Sequence, residues 1–244
     1  RDLLFVSRKR NGATFITGAP RMGKSTTAYA ILNETVNSGV EVQEFGSPIE
    51  TLAPWTQVDY EGDLNHLKNL ISQNKKQDTN IVLVSETPNS AIGEAVGDLV
   101  ASNVHVVTTF HMNRLWHLPH KLYGFYKSDF KNILSQVNIC VNQKMYEIQC
   151  PHCRTESRPI SVFKPNDPIA KMFAEQGYSF FRQSVGCDKC DFTGGTGDPM
   201  VFVERLVFTE EIVSELLSLD TPPQMERFLK NRMNELRQSL EYYM

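Results

Sequence analysis

The sequence predicts an α/β fold with a mostly parallel sheet, a small cysteine-bearing insert late in the chain and a helical carboxy-terminal region. Three observations predict it. Short apolar runs alternate with stretches of helical periodicity over residues 1–149, two CxxC pairs bracket a polar, proline-bearing segment, and the chain ends on apolar residues spaced three and four apart.

Taken in order, residues 13–17 (ATFIT) form a short apolar strand that runs into a Gly/Pro turn at 18–23, and a helix is expected over 24–38. Gly39 stops that helix, because glycine takes the left-handed conformation after a last turn at no steric cost. Residues 40–45 read as a second strand, 64–73 as a helix and 80–85 (NIVLVS) as a third strand, too continuously apolar to have a wet face. A helix over 90–102, a buried strand over 105–110 (HVVTTF), a short helix over 129–136 and one or two strands over 139–148 complete this part. The character then changes to Cys pairs, a polar run at 154–158, Pro159, Pro165 and Pro168, and a Gly-rich turn at 194–197. A strand over 200–208 follows. Thr209 opens a helix with Glu210 and Glu211 in its first turn, where the helix dipole favours anions. The last helix follows Pro222 and Pro223, with Met225, Phe228, Leu229, Met233, Leu236, Leu240 and Tyr243 on one face. The expected organisation is a core over 1–149, an insert over 150–198, and a strand and helices over 199–244 that pack on the core.

With 244 residues, the chain can bury a substantial core. Lys plus Arg number 25 and Asp plus Glu 28, a net charge of -3, so nothing global favours nucleic acid or an anionic membrane. No apolar run approaches the roughly 20 residues of a spanning helix and no h-region marks a signal peptide, so a soluble protein is expected. The chain begins at Arg1, not Met, and enters a strand soon after, which reads as a piece cut from something longer.

Residues 18–26 (GAPRMGKST) fit GxxxxGK[ST] between a strand and a helix, the context that a phosphate-binding P-loop needs. Gly18 and Gly23 let the backbone curl so that the amides of Ala19, Pro20's neighbours, Arg21 and Met22 point inward, and the helix starting at Lys24 adds its positive end. Lys24 is expected to reach the β and γ phosphates of ATP. Ser25 is expected to place its hydroxyl on Mg²⁺, with Thr26 as a second hydroxyl on the same turn. The competing reading is a Gly-rich turn with an accidental lysine.

Of five cysteines, Cys150, Cys153, Cys187 and Cys190 make two CxxC pairs, each able to present two thiolates to a tetrahedral Zn²⁺. Four thiolates fill the coordination sphere, so the metal is expected to be structural. Two disulfides are the alternative, and they conflict with a reducing compartment. His152 reads as a non-ligand and Cys140 as a small core residue.

Four further segments resemble, in order and spacing, the secretion ATPase superfamily of type II secretion and type IV pilus assembly motors. Residues 17–29 are similar to its Walker A stretch, 82–86 (VLVSE) to its Walker B strand ending in glutamate, and 105–113 (HVVTTFHMN) to its His box. Gln143, Lys144 and Met145 with the first CxxC, and 185–190 with the second, resemble its zinc-bearing insert. The resemblance implies a RecA-like P-loop NTPase core that hydrolyses ATP with Mg²⁺ as a homo-hexamer. It also implies a cytoplasmic protein at the inner-membrane face, attached only through an inner-membrane platform partner, without direct nucleic acid. On this resemblance Glu86 polarises the attacking water or holds the Mg²⁺ hydration shell, and His111 senses or donates to the γ-phosphate. From the residues alone Glu86 reads equally as an exposed strand-end acid, and His111 as a solvated side chain. Arg21 and Arg114 are cations near the expected phosphates, and the resemblance assigns further arginines to an amino-terminal domain. The chain departs from the family in its Asp box, where Gly46, Ser47, Pro48 and Ile49 leave Glu50 as the one acid, and after Walker B, where Pro88 and Asn89 replace an Arg-Asp pair. Those departures favour a second reading, a ring subunit that binds nucleotide and hydrolyses little.

Overall fold

The structure, a computed structural model, describes residues 11–74, 79–102, 104–157, 180–182 and 185–241. Pro159, Pro165, Pro168, Tyr243 and the side chains of Leu236 and Leu240 lie outside the described residues. By contacts the chain divides into two units, residues 1–144 with 203–244, and residues 145–202.

Along the chain the elements run β1 (Gly12–Gly18), α1 (Lys24–Val36), β2 (Val42–Gly46), β3 (Thr56–Asp59), α2 (Leu64–Asn74), β4 (Ile81–Val84), α3 (Ser90–Val100) and β5 (His105–Phe110). α4 (Leu118–Tyr126), α5 (Phe130–Ser135) and β6 (Val137–Gln149) follow; β9 (Gly195–Val207), α6 (Glu210–Ser218) and α7 (Pro222–Glu241) come last. The seven-stranded sheet has the order β3-β2-β4-β5-β1-β6-β9. β1 pairs in parallel with β5 and β6, β2 with β3 and β4, and β4 with β5.

The sheet is mostly parallel because β1, β3, β4 and β5 are each followed by a helix that carries the chain back, and both of its faces are covered. Alternation within single strands makes this visible. Ile16, Ile81, Leu83 and Val107 pack with Ala28, Ile31 and Leu32 of α1 on one face. Phe15, Val82, Val84 and Val106 pack with Leu67 of α2 and with Val96 and Leu99 of α3 on the other. On that second face α3 approaches α4 so closely that a Cβ on Gly97 would lie 2.7 Å from the Tyr126 ring. α7 buries Met225, Leu229 and Met233. α1 ends as its glycine signals: Gly39 has φ 81°, and its N–H donates to Val36 O at 2.8 Å.

Several elements differ from the sequence expectation. β3 was not expected; it is an edge strand with no buried residue, so it lacks the apolar run that marks β4. α4 is likewise absent from the sequence expectation; its Pro119 falls in the first turn, where the missing N–H has no partner to lose. β6 is one strand where one or two were expected. The glycine-rich segment is not a turn over 194–197. β9 starts at Gly195 and carries Pro199, which an edge strand tolerates.

The second unit contains β7 (Thr155–Ser157) and β8 (Phe180–Arg182), which pair antiparallel, and a 3₁₀ turn at Asp188–Cys190. No described helix is long and apolar enough to cross a membrane.

Candidate functional site

The loop between β1 and α1 is shaped by two residues with positive φ, Arg21 at 60° and Gly23 at 74°. Gly23 sits at the N-cap of α1 with no side-chain cap, and the first intrahelical bond is Thr27 N to Gly23 O at 3.0 Å. The amides of Lys24, Ser25 and Thr26 precede that bond, so they are the orphan donors of the helix start. Gly18 must be glycine for a different reason: a Cβ there would collide with the carbonyl of Gln143 on β6. Gln143 in turn holds the loop like a fork, its amide NH₂ donating to Met22 O and its Oε1 accepting from Thr27 Oγ1 at 2.8 Å.

The loop forms one wall of an open cleft of about 420 Å³, lined by Pro20, Arg21, Met22, Gly23, Lys24, Ser25 and Thr26 and, opposite them, by Glu50, Ser85, Glu86, Thr109 and His111. All three acids and bases singled out in the sequence, Glu86, His111 and Glu50, therefore share one cleft with residues 20–26. They arrive there because β2, β4, β5 and β1 are successive sheet neighbours that end side by side, Glu50 following β2, Glu86 β4 and His111 β5, and a parallel sheet opens its ligand crevice at the carboxyl ends of its strands. Hydroxyls fix the strand ends: Thr109 Oγ1 donates to Ser85 O at 2.6 Å, and Thr108 Oγ1 to Val84 O at 2.8 Å.

Within the cleft Lys24, His111 and Glu86 form a chain. His111 Nε2 lies 3.0 Å from Glu86 Oε1, and Lys24 Nζ lies 3.2 Å from His111 Nδ1. The carboxylate oxygen accepts, so Nε2 is the donor of that pair, and Nδ1 faces both the Lys24 amine and, at 3.3 Å, Gly18 O. Lys24 also donates to Ala19 O at 3.0 Å. Its pKa is lowered by burial, against the raising effect of the Glu86 and Glu50 charges. Glu86 and His111 are about half exposed, so the same groups are open to a ligand. Arg21 faces the cleft, whereas Arg114 lies over the Trp116 ring at 5.4 Å to its centroid.

Four residues of this site were given no role from the sequence, although Ser85, Thr109 and Gln143 lie within the segments at 82–86, 105–113 and 143–145. Ser85, Thr109 and Gln143 are hydroxyl and amide side chains, which sequence spacing does not distinguish from surface positions. Glu44 on β2 is fully buried and accepts from Tyr29 Oη, Ser85 Oγ, Trp55 Nε1 and Gln57 Nε2. A charged residue in a strand reads as solvent-facing, and only the convergence of donors reveals otherwise.

In the second unit Cys150, Cys153, Cys187 and Cys190 bring their sulfurs within 4.8 Å of one another. Cys153 and Cys187 lie 3.8 and 3.9 Å from Cys190. A tetrahedron with metal–sulfur bonds of about 2.3 Å has edges of roughly 3.8 Å, so the set fits a four-thiolate metal. All five cysteines are free, which corrects the disulfide alternative. The backbone N–H of Cys187 points at Cys190 Sγ at 3.2 Å, and hydrogen bonds led by Cys187 bring that thiol down to about 6, favouring the thiolate that a metal binds. Cys140 is buried, and burial pushes its thiol up.

The family model for type II/IV secretion system proteins matches residues 1–242. The chain belongs to this family. It is 25% identical over 234 residues to the type II secretion system protein E of Aeromonas hydrophila, covering 94% of this chain and 45% of that one. It is 28% identical over 235 residues to the type IV pilus assembly ATPase TfpB of Acinetobacter baylyi, covering 87% and 38%. The chain thus spans less than half the length of these relatives. Among solved structures, the ATPase DotB of Legionella pneumophila matches with a TM-score of 0.65 at 18% identity, over 94% of this chain and 54% of that one. The pilus retraction motor PilT with bound ADP matches at 0.53 and 15%, over 72% and 53%. At such identities these structures support the fold, that of the secretion ATPases.

Proposed function

We propose that this chain is the nucleotide-hydrolysing core of a motor that drives assembly of a type IV pilus or a type II secretion pseudopilus. The observation that carries this reading is the convergence of residues 20–26, Glu86, His111 and Glu50 on one cleft. The donor set suits a triphosphate: backbone amides at the start of α1, one buried lysine ammonium and the exposed cation Arg21. Mg²⁺ arriving with the nucleotide would be held through the Ser25 hydroxyl and would neutralise charge on the phosphates.

The residues divide the work. Lys24 leaves His111 for the β and γ phosphate oxygens. Glu86, released from the same chain, accepts a hydrogen bond from the attacking water and orients it in line. His111 Nε2–H then donates toward the γ-phosphate and reports its presence to Glu86. Glu50 lines the same cleft as a second acceptor. In the second unit the four cysteines would bind Zn²⁺, which holds that unit together and takes no part in the reaction.

By the same reading the working protein is a homo-hexameric ring in the cytoplasm, docked on an inner-membrane platform protein and touching neither lipid nor nucleic acid directly. Calorimetry with MgATP and MgADP tests nucleotide binding, and a silent titration of folded protein would end the proposal. A second reading, a ring subunit that binds nucleotide and turns over little, is favoured by Gly46 and Ser47 standing where the family carries acids. Turnover by the full-length protein beside Glu86→Gln separates the two. A motor loses at least a hundredfold in rate on this substitution, and a structural subunit shows the same low rate before and after.

A further inference from the structure

Glu44 is the one fully buried acid in the neighbourhood of the cleft among the described residues, and the nucleotide reading gives it no task. Its two oxygens accept four hydrogen bonds from three parts of the chain. Oε1 takes Tyr29 Oη of α1 at 2.7 Å and Ser85 Oγ at 2.6 Å, and Oε2 takes Trp55 Nε1 at 3.1 Å and Gln57 Nε2 at 2.7 Å. Tyr29 and Trp55 stack over one another at 5.4 Å between ring centroids, which shields the pair from water. Burial, the hydrogen bond to Glu44 and the charges of Glu44 and Glu50 all hold the Tyr29 proton on its oxygen. Tyr29 therefore stands as a donor to Glu44 Oε1, beside Ser85.

The consequence lies in Ser85. A hydroxyl has one proton and two lone pairs, and its proton is committed to Glu44. Ser85 lines the cleft beside Ser25, Glu86 and Thr109. What the hydroxyl has left for the cleft is thus acceptor capacity, strengthened because its proton is drawn to a buried carboxylate. Without Glu44 the same hydroxyl would rotate and present a donor as readily as an acceptor.

We propose that Glu44 is a positioning residue that fixes Ser85 as a hydrogen-bond acceptor for the water shell of the magnesium ion. The proposal rests on the nucleotide reading above. The chemistry selects the occupant: an acceptor next to the hydroxyl of Ser25 suits a group rich in strongly polarised O–H donors, and water on a divalent cation is such a group, whereas a bare phosphate oxygen would be repelled.

The test is the ratio of ADP affinity measured by calorimetry in excess EDTA to that in excess Mg²⁺, for the wild-type chain, Ser85→Ala and Glu44→Gln. The wild-type chain should gain affinity with Mg²⁺. Both variants should keep their metal-free affinity and lose about tenfold of the Mg²⁺-dependent gain, the effect of one hydrogen bond to a charged partner. Glu44→Gln disturbs four hydrogen bonds and can fail to fold, so Ser85→Ala, which removes one hydroxyl, decides by itself. A scaffolding role for Glu44 would lower both affinities together and leave the ratio untouched, and that result overturns the proposal, as does an unchanged ratio at unchanged affinity. Absence of ADP binding in the wild-type chain would instead sink the nucleotide reading, and this proposal with it.

Discussion

Replacing Lys24 with methionine separates what the ammonium does for a ligand from what it does to the empty fold. The side chain is 8% exposed, and its amine is held by Ala19 O and His111 Nδ1. Burial lowers its pKa from 10.5, so folding disfavours the charged form. The sign follows: below the lowered value the ammonium contributes unfavourably, and this contribution fades as pH rises toward 10.5. Methionine has a similar length and no charge, so Lys24→Met should leave the melting temperature at neutral pH unchanged or slightly raised. Ala19 loses a donor, but it is only partly buried and water replaces it. For nucleotide the balance reverses. Charge-assisted hydrogen bonds contribute about 1.5–3 kcal/mol each, and two to phosphate oxygens amount to roughly 3–6 kcal/mol, or about 10²- to 10⁴-fold in Kd. Calorimetry with MgATP beside differential scanning calorimetry of the same samples measures both. Affinity within threefold of wild type would refute the reasoning, and so would lost affinity accompanied by a clear fall in melting temperature, since the defect would then lie in the fold.

The same lowered pKa gives a proton signature. At pH values between the lowered value and 10.5, phosphate should restore the ammonium, so nucleotide binding should take up protons, read as a buffer-dependent binding enthalpy. Metal analysis should find one zinc per chain, released by a thiol-modifying reagent, and Cys187→Ser should bind none of it tightly. Gly97→Val should cost about 1–3 kcal/mol, because even its Cβ would meet the Tyr126 ring at 2.7 Å; the melting temperature should fall by several degrees without change in zinc content.

The legible parts of this chain are those where one physical requirement dominates. β4 and β5 are buried on both faces, so continuous apolar runs reveal them. The loop at 18–26 is legible because only glycine tolerates the close approach of Gln143 at position 18, and because Gly23 has positive φ. The cysteines are legible because tetrahedral coordination constrains spacing. β3 is not, since an edge strand with every side chain partly wet needs no particular residues. Glu44 is not, because its burial depends on Tyr29, Trp55, Gln57 and Ser85, which the sequence scatters from position 29 to position 85. The convergence of Glu50, Glu86 and His111 comes from strand order, which local pattern does not encode.

The pairing of β5 between β1 and β4 also says where the chain can change length. Thr17 lies opposite Phe110, and Val84 opposite Thr108, so His111 is aimed by counting residues along β5. Deleting any one of residues 105–110 would leave the hydropathy of the strand almost intact, yet it would draw His111 back by about 3.3 Å and point it through the opposite side of the sheet. The exposed bend at Glu61 and Gly62 aims nothing at the cleft, and it could grow or shrink freely. Relatives of this chain should therefore differ in length at such bends and agree, residue for residue, across the three central strands.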